Sequence, residues 1–352
     1  MKDHIVDANF PRTLDQRVYH LGIRAGEVAN RIVTVGSPSR AHAIANYLDH
    51  SPKPFTLTSE RGFTTITGRY KNVPVSIVSI GMGYPNADFF VREVRECLTG
   101  DMVVVRLGSC GALIDVPVGS VIVPKSSIAV TRNYDFDFVT GQSSEPPYRL
   151  SKPVLADPEL HRAVQDALER SRPSTFQTTV VSHTMNASAD SFYSSQGRIT
   201  SFPDHNETLI HTMKARHPDL ATLEMETFHI LHLAANWPSS GHAEQLSVPP
   251  ISTLPVSPVV SLPPPPSNQP QPPNVSFSDK AGNLLMPKPR IRAAAAQMVF
   301  ASRTSQDFIT PDQVAEIEAW CGKAVLEALI GFGIEPSRLH DEAGSVWELR
   351  DF

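Results

Sequence analysis

Four short stretches carry residues whose types and spacing can do chemistry. "VVVRLGSCGAL" (103–113) sets Arg106 directly after three valines. A guanidinium in so apolar a run leaves water, and uncompensated burial costs several kcal/mol, so it must meet an acid or an anion. Gly108-Ser109-Cys110-Gly111 then spells a tight small-residue turn at a strand end, where the Ser109 hydroxyl and N–H can both donate to one oxyanion. The residues alone leave a structural carboxylate and a bound anion both open. "TVGSPSRAHAIA" (34–45) ends a strand at Gly36 and starts a helix at once. Free N–H groups and the positive end of the helix dipole favour an anion there, and Arg40 in the first turn calls for one. "TLEMETF" (222–228) carries Glu224 and Glu226 on one side of an extended segment, around Met225. Acids inside an apolar phrase suit recognition of hydroxyls or a cation. "DSFYSSQGR" (190–198) presents the Phe192 ring, the Gln196 amide and the Arg198 guanidinium close together. Neither a strand core nor an amphipathic helix is usually spelled that way.

Elements must hold these pieces. "RIVTVG" (31–36), "VPVSIVSIG" (73–81), "MVVVRLG" (102–108), "GSVIVP" (119–124), "TTVVSHTM" (178–185) and "AAAQMVFAS" (294–302) read as mostly buried strands. Between some of them lie helices. "SPSRAHAIANYLD" has Ser37 as N-cap and Pro38 at the first position; "PNADFFVREVRECL" places Phe90, Val94, Cys97 and Leu98 on one face. A last long helix opens at Thr310-Pro311-Asp312. The pattern is α/β. Residues 238–290 are rich in Pro and Ser and read as a disordered or polyproline-like insertion within one domain made of 1–237 and 291–352.

The whole chain excludes several classes. Its 352 residues are 41% hydrophobic and 19% charged, a globular balance. A net charge of −5 without clusters of Lys or Arg speaks against a nucleic-acid surface. No apolar run reaches the roughly 18 residues that a membrane span needs, and the first residues lack a secretory h-region. Cys97, Cys110 and Cys321 are odd in number and far apart, which fits a reducing cytoplasm, and the His residues show no metal-ligand spacing. The expectation is a cytoplasmic protein with no metal, membrane or nucleic-acid partner.

Taken in order, "VYHLGI" (18–23), "VGSPSRA", "SERGFTT" (59–65), "IGMGYP" (80–85), "VVVRLGSCGAL", "SADSFYSSQGR", "LEMET" and "FASRTSQDF" (300–308) resemble the nucleoside phosphorylase family, on its uridine phosphorylase side. The likeness covers most of the chain outside the insertion and the tails. It implies a single domain with a central mixed, twisted, distorted barrel-like sheet flanked by helices. It implies phosphorolysis of uridine to uracil and α-ribose 1-phosphate, with inorganic phosphate as co-substrate, no cofactor, and a homo-oligomer with shared sites.

By this resemblance Gly36, Arg40, Arg106 and Ser109 hold phosphate, joined by Arg61 from a neighbouring subunit. His20 reaches a neighbour's ribose 5′-hydroxyl, Glu226 accepts from the 2′- and 3′-hydroxyls, and Met225 packs beneath the sugar. Phe192 stacks on the base, Gln196 and Arg198 bond its edge, and Arg303 lies near O4. Uracil offers a donor between two acceptors, which an amide can match, and cations stabilise charge growing on its carbonyls. Three departures stand out. Ser37 replaces an acid of the family's Gly-Asp-Pro. Gly62 replaces a Glu that helps bind a monovalent cation, so no such site is expected. The insertion has no counterpart in compact bacterial relatives. Two other readings remain: a purine nucleoside phosphorylase, disfavoured because Ser302 stands where bacterial members carry an acid, and a non-catalytic nucleoside-binding or storage protein.

Overall fold

The computed structural model describes residues 5–173, 178–237 and 289–349. The expected Pro-rich insertion falls on residues 238–288, outside the described residues, apart from its last two positions.

The chain opens with two short paired strands, β1 (Ile5–Val6) and β2 (Arg12–Thr13). The first fully buried run, "RIVTV", is β3 (Arg31–Val35), followed at once by α1 (Pro38–Ala45), whose N-cap is Ser37 as its sequence predicts. A meander of β4 (Phe55–Thr58), β5 (Thr64–Tyr70) and β6 (Val73–Ser79) leads to α2 (Tyr84–Glu96). Two long strands come next, β7 (Met102–Ala112) and β8 (Val121–Arg132), then the short β9 (Tyr148–Leu150) and β10 (Val154–Leu155). The remaining elements are α3 (Pro158–Arg170), β11 (Val180–Ala189), α4 (Leu209–Arg216), β12 (Leu220–Glu224), α5 (Thr227–Asn236), β13 (Ile291–Ser302) and α6 (Pro311–Gly331).

Among the described residues, eleven strands form one mixed sheet. In it β13 pairs in parallel with β7 and antiparallel with β8, while β8, β11, β12 and β7 follow one another by pairing. These five strands therefore close on themselves, which is the barrel-like sheet the sequence resemblance implies. From β7 the sheet opens outward through β3, β6, β5 and β4. Helices cover it, and the largest core gathers Val, Ile and Leu from β3, β6 and β7 with Trp320, Cys321, Val325 and Leu329 of α6.

Two local expectations are corrected. Gly108–Gly111 is not a turn: β7 runs on to Ala112, because β13 pairs with it along its whole length and supplies the ladder that these weak strand formers do not favour alone. "LEMET" is not extended throughout. The strand ends at Glu224, whose carboxylate accepts from the N–H groups of Glu226 (2.8 Å) and Thr227 (2.9 Å), so the chain turns and Glu226 becomes the N-cap of α5. Neither acid faces solvent; both are buried.

Candidate active site

Arg106 lies midway along β7, with 4% of its surface exposed. Its Nη2 donates to Glu226 Oε2 at 2.8 Å, while its Nε and Nη1 are buried without any hydrogen-bond partner. The meeting follows from topology. β12 runs antiparallel to β7, with Leu223 opposite Gly111, so the chain beyond it heads back toward Arg106. Glu226 Oε1 accepts from Gly83 N–H at 2.6 Å, which ties the start of α2 to the same carboxylate. Of the two alternatives at the level of sequence, the structural carboxylate is present, and two further donors of the same guanidinium stay unfilled beside it.

Gly36 closes over this guanidinium: a Cβ there would begin 3.6 Å from Arg106 Nη2. Arg40 is buried too, with its Nε on Glu318 Oε1 at 2.7 Å. Burial pulls its pKa down, Glu318 opposes that shift, and the nearby charge of Arg106 adds to it. Ser109, three residues beyond Arg106, is half-buried, and its hydroxyl has no partner among the described residues. Two cations, unfilled donors and a glycine-lined approach make a socket for a small oxyanion. It sits at the carboxyl ends of β3 and β6 and beside the later half of β7, where open α/β sheets place ligands.

Glu224 supports the neighbouring turn from below. Asn186 Nδ2 donates to it at 2.7 Å, and the Ser188 hydroxyl donates as well. Burial first, and then the charge of Glu226, push its carboxyl above the usual range. Met225 lies half-buried between the two acids.

The phrase 190–198 folds as a hydrogen-bonded loop around a single 3-10 turn, Ser194–Gln196, that ends on Gly197 in the left-handed region (φ 64°). Arg198 Nη1 donates to Gln196 Oε1 and to the Phe192 carbonyl, both at 2.6 Å, and its guanidinium lies 3.9 Å over the Phe192 ring. Gln196 Nε2 is buried and unpaired. Arg303, just past β13, donates to the carbonyls of Gln196 (3.1 Å) and Gly197 (3.2 Å). Neither Arg198 nor Arg303 has a carboxylate partner among the described residues. Burial and the charge of Arg303 bring Arg198 down to about 10, and burial lowers Arg303. β7 links this cluster to the socket, since a side chain at Gly111 would begin 3.8 Å from Arg303 Cγ.

His20 and Arg61 stand apart from these groups. His20 Nδ1 lies 2.6 Å from Glu93 Oε1 and its ring stacks on Phe89 at 3.7 Å. Arg61 Nη2 donates to the Tyr19 hydroxyl at 3.0 Å. Glu93 is ten residues along α2 from Gly83, about 15 Å of helix, so His20 does not reach Glu226, the carboxylate held by Gly83 in its own chain.

Several supports escape sequence reasoning. Asp190 accepts from the Ser195 hydroxyl and from the Arg132 N–H. Arg132 pairs with Asp204 and bonds the Ser194 hydroxyl, Tyr148 bonds Ser194 as well, and Asn206 Nδ2 clasps the carbonyls of Ser194 and Arg198. Only Asp190 could have been noticed, as the acid that leads the phrase. His229, one turn into α5, stacks on Tyr84 at 4.6 Å; its Nδ1 is unpaired, and burial pushes its pKa to about 4. Among the described residues no group of three or more His, Cys, Asp or Glu could hold a metal ion, and no helix is long and apolar enough to cross a membrane.

Residues 30–236 match the phosphorylase superfamily. The chain belongs to that family. A uridine phosphorylase of Thermococcus kodakarensis is 28% identical over 238 residues, covering 66% of this chain and 78% of the relative. A purine nucleoside phosphorylase (DeoD-type) of Brevibacillus brevis is also 28% identical, over 62% of this chain and 80% of its own. A solved structure reported for two diverse uridine phosphorylases of the oomycete Phytophthora capsici superposes with a TM-score of 0.74 at 35% identity, covering 94% of this chain and 100% of that one. The superfamily match spans β3 to the end of α5, and so includes the socket, the two acids and the loop 190–198.

Proposed function

We propose that this member of the phosphorylase superfamily is a uridine phosphorylase, a pentosyltransferase that converts uridine and phosphate to uracil and α-ribose 1-phosphate. The observation that carries the reading is the base cluster: a buried, unpaired amide donor on Gln196 between two guanidiniums that no carboxylate among the described residues neutralises. Such a pocket suits a planar ring with carbonyl edges that becomes negative as it departs.

Phosphate oxygens take the donors that Arg106 Nε and Nη1 leave open, with Arg40 beside them. Glu226 keeps lone pairs free for the ribose hydroxyls although each of its oxygens already accepts one bond. A phosphate oxygen bonds C1′ as the C1′–N1 bond breaks. The electron pair passes to the base, spreads onto O2 and O4 near Arg198 and Arg303, and the anion then takes a proton from water. Phosphate acts as co-substrate, and no cofactor is required. Held next to C1′, it supplies the nucleophile at high effective concentration.

The separation of His20 and Arg61 from Glu226 supports completion of each site by a neighbouring copy, in at least a dimer. One observation favours a second reading: the likeness to the Brevibacillus purine enzyme is equal in identity to that with the Thermococcus uridine enzyme. A nucleoside panel with and without phosphate decides. Phosphate-dependent uracil release from uridine, faster than hypoxanthine release from inosine, is expected. The reverse order overturns the pyrimidine reading, and tight nucleoside binding without turnover would indicate a storage protein.

A further inference from the structure

We infer that Glu318 and Gly322 of α6 are positioning residues for the phosphate site, acting through Arg40. The inference rests on the phosphate role proposed above. Arg40 and Ile44 lie four apart on α1, and Glu318 and Gly322 lie four apart on α6, so each pair occupies one face, one turn apart. The pairs meet. Arg40 Nε donates to Glu318 Oε1 at 2.7 Å, and one turn on Gly322 faces Ile44. A Cβ at Gly322 would stand 2.7 Å from Ile44 Cγ1 and 3.4 Å from its Cδ1, closer than packed atoms allow. The glycine is what lets the helices approach, and that approach delivers the carboxylate to the guanidinium.

The consequence falls on one edge of Arg40. Its Nε is occupied, and its Nη atoms have no hydrogen-bond partner among the described residues. The Phe300 ring lies 5.7 Å from its central carbon. Held by its Nε, the buried side chain presents its remaining donors beside Arg106 without drifting from it. The first turn of α1 offers no acid for this, since Ser37 is the cap and no acidic residue follows. Glu318, from far along the chain, supplies it, and its negative charge also offsets the repulsion between two adjacent cations. A weld that only joined α1 to α6 would predict no selective effect on phosphate.

The test is steady-state kinetics of Glu318→Ala, Glu318→Gln and Gly322→Ala, varying inorganic phosphate and, separately, the nucleoside the wild type cleaves best, with melting temperatures alongside. Glu318→Ala should raise KM for phosphate about tenfold, as expected for loss of one charge-assisted hydrogen bond. The nucleoside KM, and kcat at saturating phosphate, should stay within about twofold. Glu318→Gln keeps an acceptor and should recover most of the phosphate affinity. Gly322→Ala should shift KM for phosphate in the same direction by separating the helices; if it does not fold, the Ala and Gln variants at 318 decide. An unchanged phosphate KM in Glu318→Ala, or equal rises in both KM values, overturns the inference while leaving the phosphate reading in place. A wild type whose turnover ignores phosphate overturns the reading itself.

Discussion

Arg106 is buried with one carboxylate partner and two open donors. Replacing Glu226 by Ala removes that partner, and breaking a buried pair typically costs about 3–5 kcal/mol. Glu226→Ala should therefore lose both stability and turnover, seen by calorimetry and by phosphorolysis. Arg198→Ala should behave differently. If its guanidinium serves charge that grows only as the base leaves, as proposed, kcat/KM on uridine should fall by about 10²–10³ with little change in melting temperature. His229 yields a pH prediction. Its folded pKa of about 4 lies below the ordinary 6.5, so the unfolded chain takes up a proton first as pH falls. Stability should drop as pH is lowered from about 6.5 toward 4, and His229→Gln should flatten that slope in melting temperatures recorded against pH. At this scale the sequence was partly legible. A charged residue after three valines announces a buried partner, and Arg106 has one in Glu226; the closeness of Gln196 and Arg198 in the phrase is likewise met, since the two bond each other. The clasp by Asn206, Tyr148 and Arg132 was not legible, because those side chains meet the loop only after the chain has folded back on itself.

At the level of elements, runs such as "RIVTV" and the Ser-Pro and Thr-Pro helix starts read directly into structure, since burial and capping are local properties of the sequence. The misread pieces share one cause. Gly108–Gly111 looks like a turn until β13 lies beside it, and "LEMET" looks extended until the Glu224 side chain bonds the backbone two and three residues on. Partners distant in sequence, or a side chain turning on its own backbone, leave no periodic trace. The start of α6 shows the opposite case. Thr310 and Gln313 form a full capping box at the head of the helix that carries Glu318. Thr310→Ala should cost about 1 kcal/mol, a fall of roughly 2–4 °C in a domain of this size, while leaving the KM for uridine unchanged.

For the whole molecule, His20 and Arg61 give a test of shared sites. If they serve a neighbouring copy, Glu226→Ala and His20→Ala subunits fail for complementary reasons. Unfolded, mixed and refolded together, they should regain up to about a quarter of the intact sites, because a two-fold mixed dimer restores one site of its two. Activity that stays at the sum of the separate variants would show that each chain works alone. The closure of the five strands has a further consequence. The strand that pairs with the whole length of β7 is the last of the described strands, drawn from beyond residue 288. A product that stops at 237 would leave one side of β7 without hydrogen-bond partners, an edge open to pairing with other chains. Supplied in trans, residues 289–352 should act as a donated strand and helix that rescues such a fragment, so the enzyme should be separable into two pieces that reassemble.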